Sequence, residues 1–165
     1  GSINPQMLKS VGAKYVIIGH SENRRSGETD KLINLKVKAA VKVGLKVIFC
    51  IGETFGQKRK KITKQILSKQ IKLGLNKVHK KKNIIIAYEP VWSIGTGIIP
   101  KSDDLFKTIN FIKNKVKNNK VLYGGSVNPK NIRDLKSIRN IDGFLIGGAS
   151  QEAKKFIDII KKTYN

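Results

Sequence analysis

Five short apolar runs constrain the fold of this chain more than any other feature. They are rich in β-branched and aromatic residues, and they comprise residues 15–18, 47–51, 84–88, 121–123 and 144–146. Strands that do not alternate apolar with polar residues are typical of a parallel sheet, in which both faces are buried. Segments with helical spacing separate the runs. Regular alternation of strand and helix predicts right-handed βαβ units, and therefore an α/β fold.

Apolar spacing and capping residues predict where the helices lie. Residues three or four apart predict one helix ended by Gly44, another from 105 to 116, and a last one from 153 to 160, with a less regular pattern from 62 to 78. The apolar residues that carry the regular patterns are Leu32, Leu35, Ala39 and Val43; Leu105, Ile109, Ile112 and Val116; and Ala153, Phe156, Ile157 and Ile160. Asn4, Ser102 and Asn128 are the predicted N-caps, with Pro5 and Pro129 as first helical residues.

The net charge of +23 raises the possibility of a nucleic-acid partner. Of the 34 basic residues, 29 are Lys and five are Arg, and the lysines are spread along the chain beside abundant Ile and Asn. Base edges and phosphates are read best by the planar fork of Arg. The charge therefore favours a solvated surface in a protein of biased composition. A basic nucleic-acid-binding protein remains the alternative from a different functional class.

Cysteine content and hydropathy exclude further classes of protein. Cys50 is the only cysteine, which excludes an internal disulfide framework and a CxxC zinc site. No apolar run approaches the ~18 residues that span a bilayer. We expect a cytoplasmic protein without a membrane partner or a metal. Cys50 lies within an apolar run and is interpreted as a packed thiol, and His79 is assigned no role.

Each predicted strand ends in an unusual polar or glycine-rich motif. These motifs are Gly19-His20-Ser21-Glu22, Gly52-Glu53-Thr54, Glu89-Pro90-Val91-Trp92, Gly124-Gly125-Ser126 and Gly147-Gly148-Ala149-Ser150. In parallel α/β folds, ligands bind at the carboxyl edge of the strands. The motifs therefore predict one site at that edge.

Two glycine pairs on consecutive strands predict a phosphate site. Gly124-Gly125, followed by Ser126, and Gly147-Gly148 have no Cβ, so their backbone N–H groups can come close to an anion. The alternative is that each pair merely turns the chain. Two pairs on adjacent strands favour the phosphate interpretation.

His20 and Glu89 are the candidate acid–base pair. His20 precedes a predicted helix start, where the helix dipole disfavours a positive imidazolium and leaves a neutral hydrogen-bond donor. Glu89 lies between Tyr88 and Pro90, where partial desolvation would make it a stronger base towards a carbon-bound proton. A hydrogen-bonded structural histidine is the alternative.

The segment after Glu89 is predicted to be a lid. Pro90 stiffens its entry, and Gly95 and Gly97 loosen its exit. Trp92 gives it the bulk to exclude water. An ordinary βα loop is the alternative.

These motifs together resemble the triosephosphate isomerase family. The resemblance rests on residues 12–22, 50–53, 87–97, 123–127 and 142–150, in the family's order over nearly the whole chain. The stretch Ala87-Tyr88-Glu89-Pro90-Val91-Trp92-Ser93-Ile94-Gly95-Thr96-Gly97 is the most specific of them. Another phosphate-binding barrel enzyme is the alternative within this structural class, and the lid motif argues against it.

The resemblance implies a site and a reaction. By the roles established for the family, Glu89 is the proton acceptor and His20 the electrophile in the interconversion of glyceraldehyde 3-phosphate and dihydroxyacetone phosphate, in glycolysis and gluconeogenesis. The implied phosphate ligands are Gly95, Ser126, Gly147 and Gly148, and the implied lid is Pro90, Val91, Trp92, Ser93, Ile94, Gly95, Thr96 and Gly97. Cys50 and Glu53 are implied to be structural. No cofactor or metal is implied, and the full-length protein is expected to be a homodimer.

The chain also departs from the family pattern. Asn23 stands before Arg24 and Arg25, and the loop to Glu28 looks shorter, which puts the local salt bridges in doubt. The family's (β/α)8 barrel has eight strands, and only strands 4 to 8 are visible here. We therefore expect residues 1–165 to form a single partial barrel domain, without the first-strand Lys and Asn and the dimer loop. Such a chain is expected to be inactive and to aggregate or stay partly unfolded.

Overall fold

Five parallel strands form the centre of the protein, in a computed structural model that describes residues 3–164. The strands are β1 (Tyr15–Ile18), β2 (Lys46–Ile51), β3 (Ile84–Tyr88), β4 (Val121–Tyr123) and β5 (Gly143–Phe144). Each strand pairs only with its sequence neighbours, in the order β1-β2-β3-β4-β5. Doubly wound sheets instead reverse the strand order at a switch point. The observed order is that of a barrel segment, and the α/β prediction is confirmed.

Eight α-helices are present in the described part of the chain. They are α1 (Pro5–Ser10), α2 (Ser21–Arg25), α3 (Asp30–Lys42), α4 (Phe55–Arg59), α5 (Thr63–Gly74), α6 (Ser102–Val116), α7 (Ile132–Ser137) and α8 (Ala153–Tyr164). Short 3₁₀ turns cover Lys81–Asn83, Val91–Ser93 and Gly148–Gln151. Within residues 3–164, none of the helices is long and apolar enough to cross a membrane.

The hydrophobic core lies between the sheet and α3, α5 and α6. Phe49 on β2 and Ile86 on β3 are fully buried. Helix α5 approaches β2 so closely that a Cβ on Gly74 would lie 2.4 Å from the Phe49 ring. The Asn34 side chain donates to the carbonyls of Gly74 and Asn76, which ties α3 to α5. This packing holds the central strands in register.

The apolar residues that predict α3 do not form its buried face. Leu32, Leu35 and Ala39 are exposed and Val43 is only partly buried, whereas Ile33, Val37, Ala40 and Val41 face the sheet. Both sets have helical spacing, so the pattern gave the period correctly but not which of two apolar stripes faces the core. Gly44 ends the helix with a φ of +85°, as expected of a residue after the last turn.

Of the three predicted N-cap residues, Asn4 is confirmed, and Ser102 and Asn128 are wrong. Asn4 caps α1 by accepting from the Met7 N–H at 2.9 Å. Ser102 is the first residue of α6 and Lys101 occupies the cap position. The Asn128 side chain accepts from the N–H groups of Lys130 and Asn131, so that Asn128-Pro129 begins a turn and α7 starts at Ile132.

The last strand is displaced from its prediction. β5 covers Gly143–Phe144, whereas the prediction was 144–146. The Leu145 N–H still donates to the Tyr123 carbonyl at 2.9 Å, so pairing with β4 continues for one more residue. Among the described residues β5 pairs on one side only, which explains its shortness.

Candidate active site

A cleft of about 630 Å³ lies at the carboxyl ends of the strands. Its lining brings together nearly all the residues that the sequence singled out: His20, Glu89, Ile94, Gly95, Gly97, Gly125, Ser126, Gly147 and Gly148. Glu53 and Trp92 do not line this cleft; both line a second groove. Parallel strands deliver these residues to one edge although they are distant in sequence.

Glu89 directly follows β3, and its residue is 4% exposed. Its backbone N–H donates to the Ile51 carbonyl at 2.8 Å, which fixes it beside the end of β2. Its Oε1 lies 3.6 Å from His20 Nε2, while its buried Oε2 has no hydrogen-bond partner among the described residues. Burial raises the pKa of the Glu89 carboxyl, and the neighbouring His20 opposes that shift in part. The carboxylate is therefore a stronger base than one in water.

His20 is the N-cap residue of α2, at the end of β1. Its Nδ1 accepts from the Glu22 N–H at 3.4 Å. Because Nδ1 acts as an acceptor, the ring proton is available on Nε2, which faces Glu89. The side chain keeps 30% of its surface exposed and lines the cleft. This geometry suits a neutral imidazole that donates a hydrogen bond into the cleft.

Arg24 ties the end of β1 to the end of β2. Its guanidinium donates to the carbonyls of Gly19 at 2.8 Å and Cys50 at 3.2 Å, and it pairs with Asp30 at 2.7 Å. A second ion pair joins Lys36 to Glu28. The salt bridges that the Asn23 departure put in doubt are thus formed by the residues after it. Cys50 itself is buried, and burial followed by the nearby Glu89 raises the pKa of its thiol.

Glu53 anchors the first half of residues 90–97, the segment that the sequence predicts to be a lid. The Trp92 indole N–H donates to Glu53 Oε1 at 2.9 Å, and the Tyr88 hydroxyl donates to the same carboxylate. Burial raises the pKa of Glu53, and the Trp92 and Tyr88 hydrogen bonds oppose that shift. The family resemblance implied only a structural role for Glu53 near Glu89. The hydrogen bond from Trp92 to Glu53 was not predicted. A strand-end carboxylate and a lone Trp that needs an acceptor were the available signals.

Hydroxyl groups hold residues 93–97, the second half of the predicted lid segment. Ser93 is fully buried, and its Oγ lies 3.0 Å from the Tyr123 hydroxyl. Ser126 Oγ donates to the Ser93 carbonyl at 2.6 Å and accepts from the Gly97 N–H at 3.0 Å. Gly95 and Gly97 have φ values of +70° and +77°, which favour glycine. These contacts hold the segment down over the strand ends.

The loop after β5 offers open backbone. Gly147 and Gly148 are exposed, and a Cβ on either would meet nothing within 4 Å. The 3₁₀ turn Gly148–Gln151 begins there. Lys130 and Lys155 line the same side of the cleft and supply positive charge. This arrangement suits an anion held by N–H groups and nearby cations.

Within residues 3–164, no three His, Cys, Asp or Glu side chains are grouped so that they could hold a metal ion. The polar side chains that line the cleft are those of Glu89, His20, Ser126, Asn128 and two lysines.

Known proteins share both the sequence and the fold. The family model of triosephosphate isomerase matches residues 1–163. The triosephosphate isomerase of Thermodesulfovibrio yellowstonii is 45% identical over 98% of this chain and 69% of its own length. That of Carboxydothermus hydrogenoformans is 44% identical with the same coverage. The crystal structure of triosephosphate isomerase from Bartonella henselae has a TM-score of 0.91 and 37% identity, over 100% of this chain and 71% of its own.

The extent of these matches confirms the family resemblance and the barrel fold. The chain spans about 69–71% of the length of the relatives it matches. Its five strands in sequential order match the solved barrel with a TM-score of 0.91. Sequence, fold and the strand-end motifs agree, and the chain belongs to the triosephosphate isomerase family.

Proposed function

We propose that this cleft interconverts glyceraldehyde 3-phosphate and dihydroxyacetone phosphate through an enediol(ate), with Glu89 as the base and His20 as the electrophile. The observation that carries the proposal is the buried Glu89 carboxylate, with an unpartnered Oε2 and His20 Nε2 3.6 Å from Oε1. Membership of an isomerase family supports the reaction type.

The proton transfer uses only groups of this chain and the substrate. Glu89 takes a proton from the carbon bearing the hydroxyl, and the C–H electron pair forms the enediolate double bond. His20 donates a hydrogen bond from Nε2 to the carbonyl oxygen, where negative charge develops. Glu89 then returns the proton to the neighbouring carbon. The former carbonyl oxygen takes the Nε2 proton of His20, and His20 recovers a proton from the hydroxyl group, whose oxygen becomes the new carbonyl. Protons and electrons balance, and no external oxidant or reductant is needed.

The phosphate is proposed to bind between the lid and the last two loops. Gly95, Ser126, Gly147 and Gly148 all line the cleft and present backbone N–H groups or a hydroxyl. Residues 90–97 are proposed to act as a lid, because their contacts with Glu53 and Ser126 hold them over the strand ends. A closed lid excludes water and so protects the enediolate.

The 165-residue chain by itself is proposed to be inactive. Both β1 and β5 pair on one side only among the described residues, and five strands do not close a barrel. Tyr15 and Ile17 on β1 are each 47% exposed. Exposed apolar edges recruit other chains, so the purified chain is expected to aggregate or to unfold in part.

A chimera tests both proposals. The part of the T. yellowstonii relative that this chain does not match is joined to the chain, and isomerase activity is compared with that of the chain alone. We expect activity in the chimera and none in the isolated chain. A monodisperse monomer of the chain alone that turns over substrate would contradict the second proposal, and an inactive but folded chimera the first.

A homodimer, a cytoplasmic location and a place in glycolysis and gluconeogenesis complete the proposal. A free, buried Cys50 supports a reducing compartment. The spread of lysines supports the absence of a nucleic-acid partner. Size-exclusion chromatography of the chimera, with and without DNA at rising salt, tests the dimer and the absence of specific binding.

A further inference from the structure

We propose that Lys58 is a positioning residue that holds the lid in place by placing its ammonium group on the face of the Trp92 ring. The proposal deepens the proposed function, since it rests on residues 90–97 acting as a lid. Lys58 Nζ lies 3.4 Å from the centroid of the Trp92 ring. An ammonium within about 6 Å of an indole face is attracted by the ring quadrupole.

The local sequence explains why Lys58 reaches this position. Helix α4 starts directly after Glu53, with Thr54 and Gln57 forming a reciprocal capping box. The Lys58 N–H donates to the Thr54 carbonyl at 3.0 Å, so Lys58 is fixed one turn after the carboxylate that binds Trp92. Glu53, just before the N-cap of α4, and Lys58, on α4, therefore present a carboxylate and a cation to the same indole.

The two contacts on Trp92 are complementary. Glu53 accepts from the indole N–H at the ring edge, and Lys58 lies over the ring face. Lys58 also lowers the pKa of Glu53, which opposes the effect of burial and favours the charged acceptor. Lys58 thus acts on the lid twice, directly through the ring and indirectly through Glu53.

The surroundings of Lys58 favour this role over that of an ordinary surface charge. Within residues 3–164, Lys58 takes part in none of the ion pairs. Its side chain and Trp92 together line two grooves, one towards Ile99 and Pro100 and one towards Lys107. Asp104 also lines both grooves, but among the described residues it forms no ion pair with Lys58, and the ring face is the close contact of this ammonium.

The chain contains a single Trp, so its fluorescence reports directly on the lid. The experiment measures quenching of Trp92 by acrylamide in the chimera, with any Trp of the joined segment replaced by Phe, and in three variants of it. Lys58→Met keeps the length of the side chain but removes the charge. Lys58→Arg keeps the charge, and Lys107→Met removes an equal charge from the same groove without a contact to the ring.

We expect Lys58→Met to increase quenching, with a fall of about two- to fivefold in the ratio of seated to released Trp92. Lys58→Arg and Lys107→Met should quench as the unaltered chimera does. Equal quenching in all four proteins, or an equal rise in Lys58→Met and Lys107→Met, would overturn the proposal. So would a Trp92 that is as accessible in the unaltered chimera as in the urea-unfolded chimera.

A kinetic arm separates a lid role from a merely structural one. In the chimera, Lys58→Met should lower kcat/KM while the midpoint of urea unfolding stays unchanged, and Lys58→Arg should restore it. An unchanged kcat/KM in Lys58→Met would overturn the functional half of the proposal. The quenching measurement needs no catalysis, so failure of the proposed isomerase function would be seen separately, as an inactive chimera with the quenching pattern intact.

Discussion

The centre of the sheet and its two edges build the same cleft in different ways. On β2, β3 and β4, the strand-end residues are locked by short contacts, as Glu53 is by Trp92 and Ser93 is by Ser126. On the edge strands, His20 has one hydrogen bond of 3.4 Å at its ring, and Gly147 and Gly148 are exposed. Strands buried on both sides can hold side chains rigidly, whereas an edge strand lacks packing on one side.

The described residues therefore hold Glu89 and residues 90–97 in place, whereas His20 and the loop with Gly147 and Gly148 are less constrained. A glycine substitution should destabilise the protein strongly at the centre and little at the edge, and substitutions in the site should divide in the same way.

The largest effect is expected at the centre, from Gly52→Ala. A Cβ on Gly52 would lie 1.8 Å from the Glu89 carbonyl oxygen, so β2 and β3 cannot both keep their positions. We expect the free energy of unfolding of the chimera to fall by about 3–5 kcal/mol, measured by urea unfolding. Gly147→Ala, where a Cβ meets nothing within 4 Å, is the matched control and should change it by less than about 0.5 kcal/mol. Equal losses would remove the distinction between centre and edge.

The next effect is on catalysis, from Glu89→Asp in the chimera. The shorter side chain retracts the carboxylate, and a misplacement of about 1 Å costs about 100-fold in rate. We expect a loss of that size in kcat with an unchanged circular dichroism spectrum. Asp103→Glu, a change of one methylene at an exposed carboxylate in the first turn of α6, is the control and should leave kcat unaltered. Near-normal turnover in Glu89→Asp would remove this residue from the role of base.

A smaller effect is expected at the edge, from Gly148→Val. The side chain would keep a phosphate from approaching the backbone, and each lost bond to a charged group is worth about 1.5–3 kcal/mol. Inhibition of the chimera by inorganic phosphate should weaken by about tenfold or more, with little change in stability. A solved complex with the anion bound away from residues 126, 147 and 148 would contradict the assignment.

The smallest effect is the pH dependence of stability at Glu89. Burial raises the pKa of this carboxyl in the folded protein above its ordinary value of 4.5. The cost of its buried charge is therefore fully present at high pH and disappears as pH falls through the folded pKa towards 4.5. We expect Glu89→Gln to stabilise the chimera by about 1 kcal/mol at pH 8 and by less near pH 4. A Glu89→Gln variant that is less stable than the unaltered chimera at pH 8 would show that burying the charged carboxylate does not destabilise the fold.

The same raised pKa predicts that activity increases with pH, whereas the contribution of Glu89 to stability decreases. Catalysis needs the ionised carboxylate, so the acid limb of kcat/KM in the chimera should lie above pH 4.5. An acid limb at or below that value would contradict a desolvated base.

The positions of the strands, and the edge of the sheet at which the cleft lies, could be predicted from the sequence. Runs such as Ile84–Tyr88 read directly as buried strands, and Glu89 and His20 follow strands whose ends must meet in a parallel sheet. The signals were local: β-branched runs, glycine after a helix, and polar residues at a strand end. Such signals can be recognised without knowing which residues pack against them.

The contacts between side chains that are distant in sequence could be identified only in the folded structure. Ile33 and Leu32 are both apolar residues of one helix, and packing against the sheet buries the first and exposes the second. Asn128 could cap a helix, but its side chain closes a turn instead. Glu53 and Trp92 are 39 residues apart, and nothing along the chain shows that the end of β2 lies behind the lid. Contacts between distant residues depend on strand register and packing, which the periodicity of a sequence does not contain.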